Sequence, residues 1–152
     1  MLMKKQLSIS LAMLLLFIAV GQAQDPTTQP VLLDVSQSRA AFDDAMGKDV
    51  IVQGVVSSAQ WSASGKVMNI EFRNAERSRF LAVVFERIRA KIDEGFNGDA
   101  AKAFTGAKVR IRGTLEPYGG AVASLKGRPQ IIIASGDDVT ILQLATTQPA
   151  KP

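Results

Sequence analysis

Apolar and polar residues alternate with a period of two along Val50-Ile51-Val52-Gln53-Gly54-Val55-Val56 and again along Val109-Arg110-Ile111-Arg112-Gly113-Thr114-Leu115. A period of two is the mark of a strand with one face on a core. Each stretch also carries one interior glycine, which marks a bulge or the tight bend that a small closed barrel needs at its corners. The pair predicts a mainly β chain, a five-stranded Greek-key barrel. Strand one covers Asp49 to Ser57 and is followed by a polar loop, Ala59 to Gly65. Strand two is Lys66 to Arg73, with Met68, Ile70 and Phe72 on one face and Val67, Asn69, Glu71 and Arg73 on the other. A short connection, Asn74 to Ser78, suits a hairpin, and Arg79 to Phe85 is rich enough in β-branched and aromatic residues for strand three. Strand four is Lys108 to Leu115, strand five Pro129 to Ala134, and Val139 to Leu144 forms a terminal strand or an extension of the barrel edge.

The period changes in two places. From Ser36 to Met46 the residues Ala40, Ala41, Phe42, Ala45 and Met46 make one helical stripe, with Asp34 or Ser36 available as N-cap and Gly47 just past the end. A short N-terminal helix therefore leads into the barrel. Between strands three and four, Phe85, Ile88 and Ile92 are spaced three and four apart, and a second helical piece, Ala100 to Phe104, has Asp99 as its N-cap.

The ends read differently. Met1 to about Ala23 combines Lys4 and Lys5, an apolar run from Leu11 to Val20 and the small-residue site Gly21-Gln22-Ala23, the pattern of a secretory signal peptide. The run is short for a membrane span, and an uncleaved anchor is the alternative. Residues 24–31 and 145–152 are proline-punctuated and share the string Thr-Thr-Gln-Pro, so they read as a flexible linker and tail around one domain at 32–144. The expected location is exported, periplasmic or secreted.

Charge changes the picture only mildly. The chain carries 18 basic and 14 acidic residues, a net +4, and losing Lys4 and Lys5 with the leader brings this to +2. A domain devoted to nucleic acid usually carries a larger or more clustered positive field. There is no cysteine and no histidine. This excludes a Cys/His zinc site, a histidine base and a thiol nucleophile, and leaves an exported domain to rest on its apolar core. Asp43 and Asp44 are adjacent on a helix and point apart. Asp93 to Asp99 lacks calcium-loop spacing, and Gly119-Gly120 is not followed by Lys-Ser/Thr. The expectation is a protein that is not an enzyme and has no cofactor or metal. A small hydrolase working with carboxylates alone is a third reading, behind a binding module and a protein-interaction domain.

The order strand, strand, strand, helix, strand, strand, with a bend glycine in the first and fourth strands, resembles the OB-fold. Gly-Lys-x-Val-x-Val-x-Gly-x-Val at 47–56, then Phe80 to Phe85, Ala107 to Gly113, Glu116-Pro117-Tyr118-Gly119-Gly120 and Arg128-Pro129-Gln130-Ile131-Ile132-Ile133 resemble the exported bacterial OB-fold domains found alone or joined to thermonucleases. The longer segment Ala121 to Gly127 departs from the compact form, and no nuclease domain is present. The resemblance implies binding of single-stranded nucleic acid, oligosaccharide or protein across strands two and three and the flanking loops.

On those elements lie Trp61, Lys66, Arg73, Arg77, Arg79, Tyr118, Lys126 and Arg128. Aromatic faces alternating with cations suit stacked bases and phosphates. The plainer alternatives are that Trp61 caps a barrel mouth, that Tyr118 packs over an edge, and that the arginines of the hairpin pair with Glu71 and Glu76. The favoured ligand is single-stranded nucleic acid or another polyanion, bound by a monomer. The rival is an envelope domain that recruits a protein or glycan and has no nucleic-acid role.

Overall fold

In the computed structural model, which describes residues 29–146, eight strands curl into one mixed sheet. In chain order the elements are β1 (Val31–Asp34), α1 (Arg39–Asp44), β2 (Asp49–Trp61), β3 (Val67–Phe72), β4 (Leu81–Phe85), α2 (Arg89–Gly95), α3 (Ala100–Phe104), β5 (Lys108–Thr114), β6 (Glu116–Pro117), β7 (Pro129–Ile133) and β8 (Val139–Gln143). The five strands expected from alternation are β2, β3, β4, β5 and β7. Three more flank them: β1, the two-residue β6, and β8, the terminal strand. The leader at 1–23 lies outside the described residues, as do most of the linker and the tail from 147 onward. No helix among the described residues is long and apolar enough to cross a membrane.

β2 organises the sheet. Its first half pairs antiparallel with β5, Asp49 opposite Thr114 through Val55 opposite Lys108, and parallel with β1 on its other side. Its second half pairs antiparallel with β3, Val56 opposite Phe72 through Trp61 opposite Met68. The strand therefore runs four residues past the expected end at Ser57, through what alternation read as a polar loop. Cross-strand pairing overrides the weak β signal of Ser57-Ser58-Ala59-Gln60. β4 and β7 then pair in parallel. β5 and β7 meet without a backbone ladder between them.

The interior glycines do something other than bulge. The register slip in β2 falls between Val56 and Ser58, beyond Gly54. A Cβ on Gly54 would sit 2.5 Å from Val35 Cγ2 and 3.1 Å from Phe72 Cδ1. A Cβ on Gly113 would sit 2.6 Å from Ile131 Cγ2, so this glycine lets β7 approach β5. Both glycines are places of close approach.

Helices close the two ends of the curl. α1 starts later than its stripe suggests, at Arg39, with Ser38 at the N-cap position instead of Asp34 or Ser36, which bond each other in the preceding turn. Phe42 from α1 packs on Phe80 with ring centroids 5.6 Å apart, and Phe80 on Phe72 at 5.4 Å. Past α1, Gly47 at φ +79° reverses the chain, as expected of a helix-terminating glycine. At the end where β4 exits, α2 and α3 contribute Ile92 and Phe104, both buried, with Phe96 edge-on to Phe104 at 4.7 Å. Asp99 caps α3 by accepting from the Lys102 N–H at 3.0 Å. The hairpin connection is fixed by Ser78, whose buried hydroxyl donates to the Val35 carbonyl at 2.7 Å.

Asp34 accepts from the Ser36 hydroxyl at 2.7 Å and from the Ser36 N–H at 3.0 Å. These bonds, the hydroxyl foremost, hold its pKa below the ordinary 3.8. A lowered pKa stabilises the fold fully above the unfolded value and loses that contribution as pH falls through the folded one. Asp34→Asn is therefore expected to flatten the acid limb of a stability-against-pH curve below about pH 4. Phe80→Ala should cost about 3–5 kcal/mol in urea unfolding, the usual range for deleting a buried phenyl ring. Gly54→Ala should cost about 1–3 kcal/mol through overpacking against Val35.

Candidate functional site

The sheet has an outer face on β3, β4 and β7, opposite the core. Register places Val67 beside Phe85, Asn69 beside Val83 and Glu71 beside Leu81. It then places Val83 beside Ile132 and Leu81 beside Gln130. A solvent-facing side of an antiparallel hairpin normally alternates to polar residues. Here Leu81 and Val83 are apolar and buried, so β4 is covered on both sides.

The cover comes from residues 118–128, the long connection between β6 and β7. Its ends are clasped by the Tyr118 N–H donating to the Arg128 carbonyl at 2.8 Å and the Gly127 N–H to the Tyr118 carbonyl at 3.0 Å. Arg128 docks it on the hairpin. The guanidinium donates from Nη1 and Nη2 to the two carboxylate oxygens of Glu71, at 3.3 and 2.9 Å, and from Nε to the Arg79 carbonyl at 2.7 Å. Arg79 Nη2 reaches the Ser124 carbonyl at 3.3 Å. Arg79 sits in the left-handed region at φ +57°, and its N–H bonds the Ala75 carbonyl.

What the loop leaves open is an apolar cleft of about 660 Å³, walled by Val67, Val83, Phe85, Ile132, Pro117 and Tyr118. The half-buried Tyr118 ring lies on Gly120, where a Cβ would come within 2.6 Å of Cζ, so the Gly119-Gly120 turn supplies the room for the ring. At the Phe85 end stand Trp61 and Lys66. The Arg89 guanidinium lies over the Trp61 ring, 4.5 Å from its centroid, and that of Arg87 over Phe85 at 5.5 Å. Lys66 is exposed, and its carbonyl accepts from the Glu86 N–H at 2.9 Å, which ties the β2–β3 turn to the end of β4. Trp61 is half-buried, so one part of it packs on the core while another carries a cation.

The eight expected site residues divide into two groups. Trp61 and Lys66 stand at one end of β3, with Tyr118 in the cleft wall. Arg73, Arg77, Arg79, Lys126 and Arg128 belong to the other end or to the covering loop. Lys66 and Arg73 flank the six residues of β3, seven residue steps or about 23 Å apart. Arg128 is 14% exposed, and its donors are consumed by Glu71 and main-chain carbonyls, so it holds the loop instead of presenting a free cation. Arg77 and Lys126 are exposed. Arg87 and Arg89 escaped the sequence reading. Their signal was the string Phe85-Glu86-Arg87-Ile88-Arg89 leading out of a strand that ends beside an aromatic loop.

Carboxylates line a second cleft of about 520 Å³, among them Asp49, Glu116 and Asp138. Asp49 accepts from the Thr114 hydroxyl, Glu116 from the Gln130 amide, and Asp138 from the Ala134 and Ser135 N–H groups, while Asp137 lies at the same cleft with its carboxylate unbonded. Among the described residues no group of carboxylates is arranged to hold a metal ion.

No protein-family profile matches this chain, and no curated protein matches it in sequence. Among solved structures it is similar to a chain described as an aspartyl-tRNA synthetase from Leishmania major Friedlin. Identity is 14% and the TM-score 0.52, over 83% of this chain and 23% of that one. It is also similar to an aspartyl tRNA synthetase from Entamoeba histolytica, at 13% identity and a TM-score of 0.47, over 72% of this chain and 21% of that one. A third, OBody AM2EP06 bound to hen egg-white lysozyme, shares 16% identity at a TM-score of 0.45, over 70% of this chain and 92% of that one. The first likeness shows a distant OB-like fold and nothing finer. The present chain spans under a quarter of the length of either synthetase chain.

Arg128→Ala should lower stability by about 1–3 kcal/mol, because it strips a charged pair and main-chain acceptors of their donor. Arg77→Ala, at an exposed site, should stay within about 0.5 kcal/mol. Hydrogen exchange at the Tyr118 and Gly127 amides should quicken in the first variant and not in the second.

Proposed function

We propose that this chain is an exported OB-fold binding module that holds single-stranded nucleic acid across the outer face of β3, β4 and β7. The observation that carries the reading is the apolar outer-face cleft walled by Phe85 and Tyr118, with Arg87 over Phe85, while Trp61, the register partner of Met68 on the core side of the sheet, carries Arg89 at the same end of β3. Bases stack on Tyr118 and Phe85, each such contact contributing roughly 1–3 kcal/mol, while the cations at that end of β3 take phosphates. The module works as a monomer, without a cofactor and without catalysis. The secretory pattern of residues 1–23 supports export, and the OB-like fold supports a nucleic-acid role by analogy.

A second reading rests on the cleft wall itself. Val67 and Ile132 offer aliphatic surface, which suits an envelope protein segment or the apolar face of a glycan better than a base. The two readings differ in their response to salt.

Fluorescence anisotropy of a labelled oligothymidine with the full chain separates them. Three phosphate contacts predict a slope of log affinity on log salt of about −2. Replacing Lys66, Arg87 and Arg89 together by glutamine should flatten it. Trp61 is the chain's single tryptophan, so its emission should change as the oligonucleotide binds. No binding at either low or high salt would overturn the nucleic-acid reading, and salt-insensitive capture of an envelope partner would establish the second.

A further inference from the structure

At the far end of β3 from Trp61 lies a second concavity, built around Val55 at the middle of β2. Lys108 is the register partner of Val55 on β5. On the other side, the Arg73 N–H donates to the Val55 carbonyl at 2.8 Å. Neighbouring strands are about 4.8 Å apart, so the two cationic stems rise about 10 Å from one another across a single strand. Both are long enough to converge on one anion between them.

The space they border is a cleft of about 410 Å³ whose far wall is the segment from Gln143 to Thr146, and no carboxylate lines it. Among the described residues neither guanidinium nor ammonium has an ion-pair partner within 4.0 Å or a side-chain hydrogen bond. Two like charges have thus been brought to one concavity without a counter-charge inside it. Asp34 borders the smaller adjoining cleft of about 160 Å³, together with Arg73 and Lys108. Its oxygens are already taken up by Ser36 and Gln53. Asp34 balances one of the two cations from a distance and leaves the larger cleft positive.

We propose that Arg73 and Lys108 form a binding site for a phosphate monoester, separate from the aromatic cleft. A monoester carries about −1.5 to −2 at neutral pH, which matches two fixed positive charges better than a carboxylate does. Arg73 offers its planar fork to two phosphate oxygens, and Lys108 meets a third as a point charge. The Gln143 amide on the opposite wall adds a neutral donor. The cleft is larger than a phosphate ion, so the esterified group has room alongside Val55 and Gly106.

The test is a titration of the full, isotope-labelled chain with inorganic phosphate, followed by amide proton–nitrogen spectra. Saturable shifts are expected at Val55, Arg73, Gly106 and Lys108, and none with chloride at equal ionic strength. Arg73→Gln and Lys108→Gln should each weaken binding at least tenfold, whereas Arg112→Gln, an exposed cation on the same strand, should leave it unchanged. Arg73→Lys, which keeps the charge, should retain part of the affinity and guards against loss by misfolding, as does an unchanged thermal midpoint. A 5′-phosphorylated oligothymidine compared with its unphosphorylated form tells a nucleic-acid end from free phosphate as the source. Shifts that fail to saturate, that chloride reproduces, or that survive in both glutamine variants would overturn the site. A change in Trp61 emission on adding inorganic phosphate, without saturable shifts at Arg73 and Lys108, would do the same, by placing the anion at the other end. Failure of the oligothymidine to bind at the aromatic cleft, with these phosphate shifts intact, would sink only the nucleic-acid reading.

Discussion

The sheet depends on one strand belonging to two ladders at once. β2 gives its first half to β1 and β5 and its second half to β3, and the changeover happens where Gly54 has no side chain. Val35 and Phe72 fill the space a Cβ would occupy. That close approach lets the segment after β1 pack down on the strand, and Ser78 then bonds the Val35 carbonyl from the hairpin connection. The aromatic cluster of Phe42, Phe72 and Phe80 is built on the same contact. Any residue larger than glycine at position 54 pushes against the junction of the helix end, the hairpin and the main strand together.

A bent sheet of this kind has an outer face to dispose of, and here it is used in two ways. Part is covered permanently by the 118–128 loop, pinned by the bidentate Arg128–Glu71 pair, which buries Leu81 on a side that alternation alone would give to solvent. The rest remains as the apolar cleft beside Tyr118. Covering half of the face concentrates the accessible aromatic surface toward the Phe85 end, where Arg87 turns back over Phe85 and Arg89 over Trp61 on the other side of the sheet. Cation and ring are mutually attracted there by the ring quadrupole. Arg89 is shared between the Trp61 ring and the Asp93 carboxylate, 3.6 Å from its Nε.

Much of the architecture was legible residue by residue. Alternation located β3 and β5 to within one residue, because a strand with one buried face must repeat every second position, while β-branched and aromatic content located β4 to within two. Gly47 and Asp99 announced the end of α1 and the start of α3, since their roles depend on local backbone geometry. The far end of β2 was not legible: Ser-Ser-Ala-Gln has little strand preference and is held by β3. Nor was β1, whose parallel partner lies nineteen positions away in register, Val31 with Val50. Of the expected site residues, Trp61 lies at the end of β2 instead of in a loop, and Arg128 looked like any exposed cation until Glu71 was seen across from it.

The order of the five main strands and the helices between them, the core face of β3 and the lack of any cysteine or histidine were set by the sequence alone, because each follows from composition or from periodicity over a few residues. The tertiary structure decided which cations are free and which are spent. Whether a guanidinium meets a carboxylate, a ring or open water depends on residues brought from tens of positions away, and no local pattern encodes that meeting.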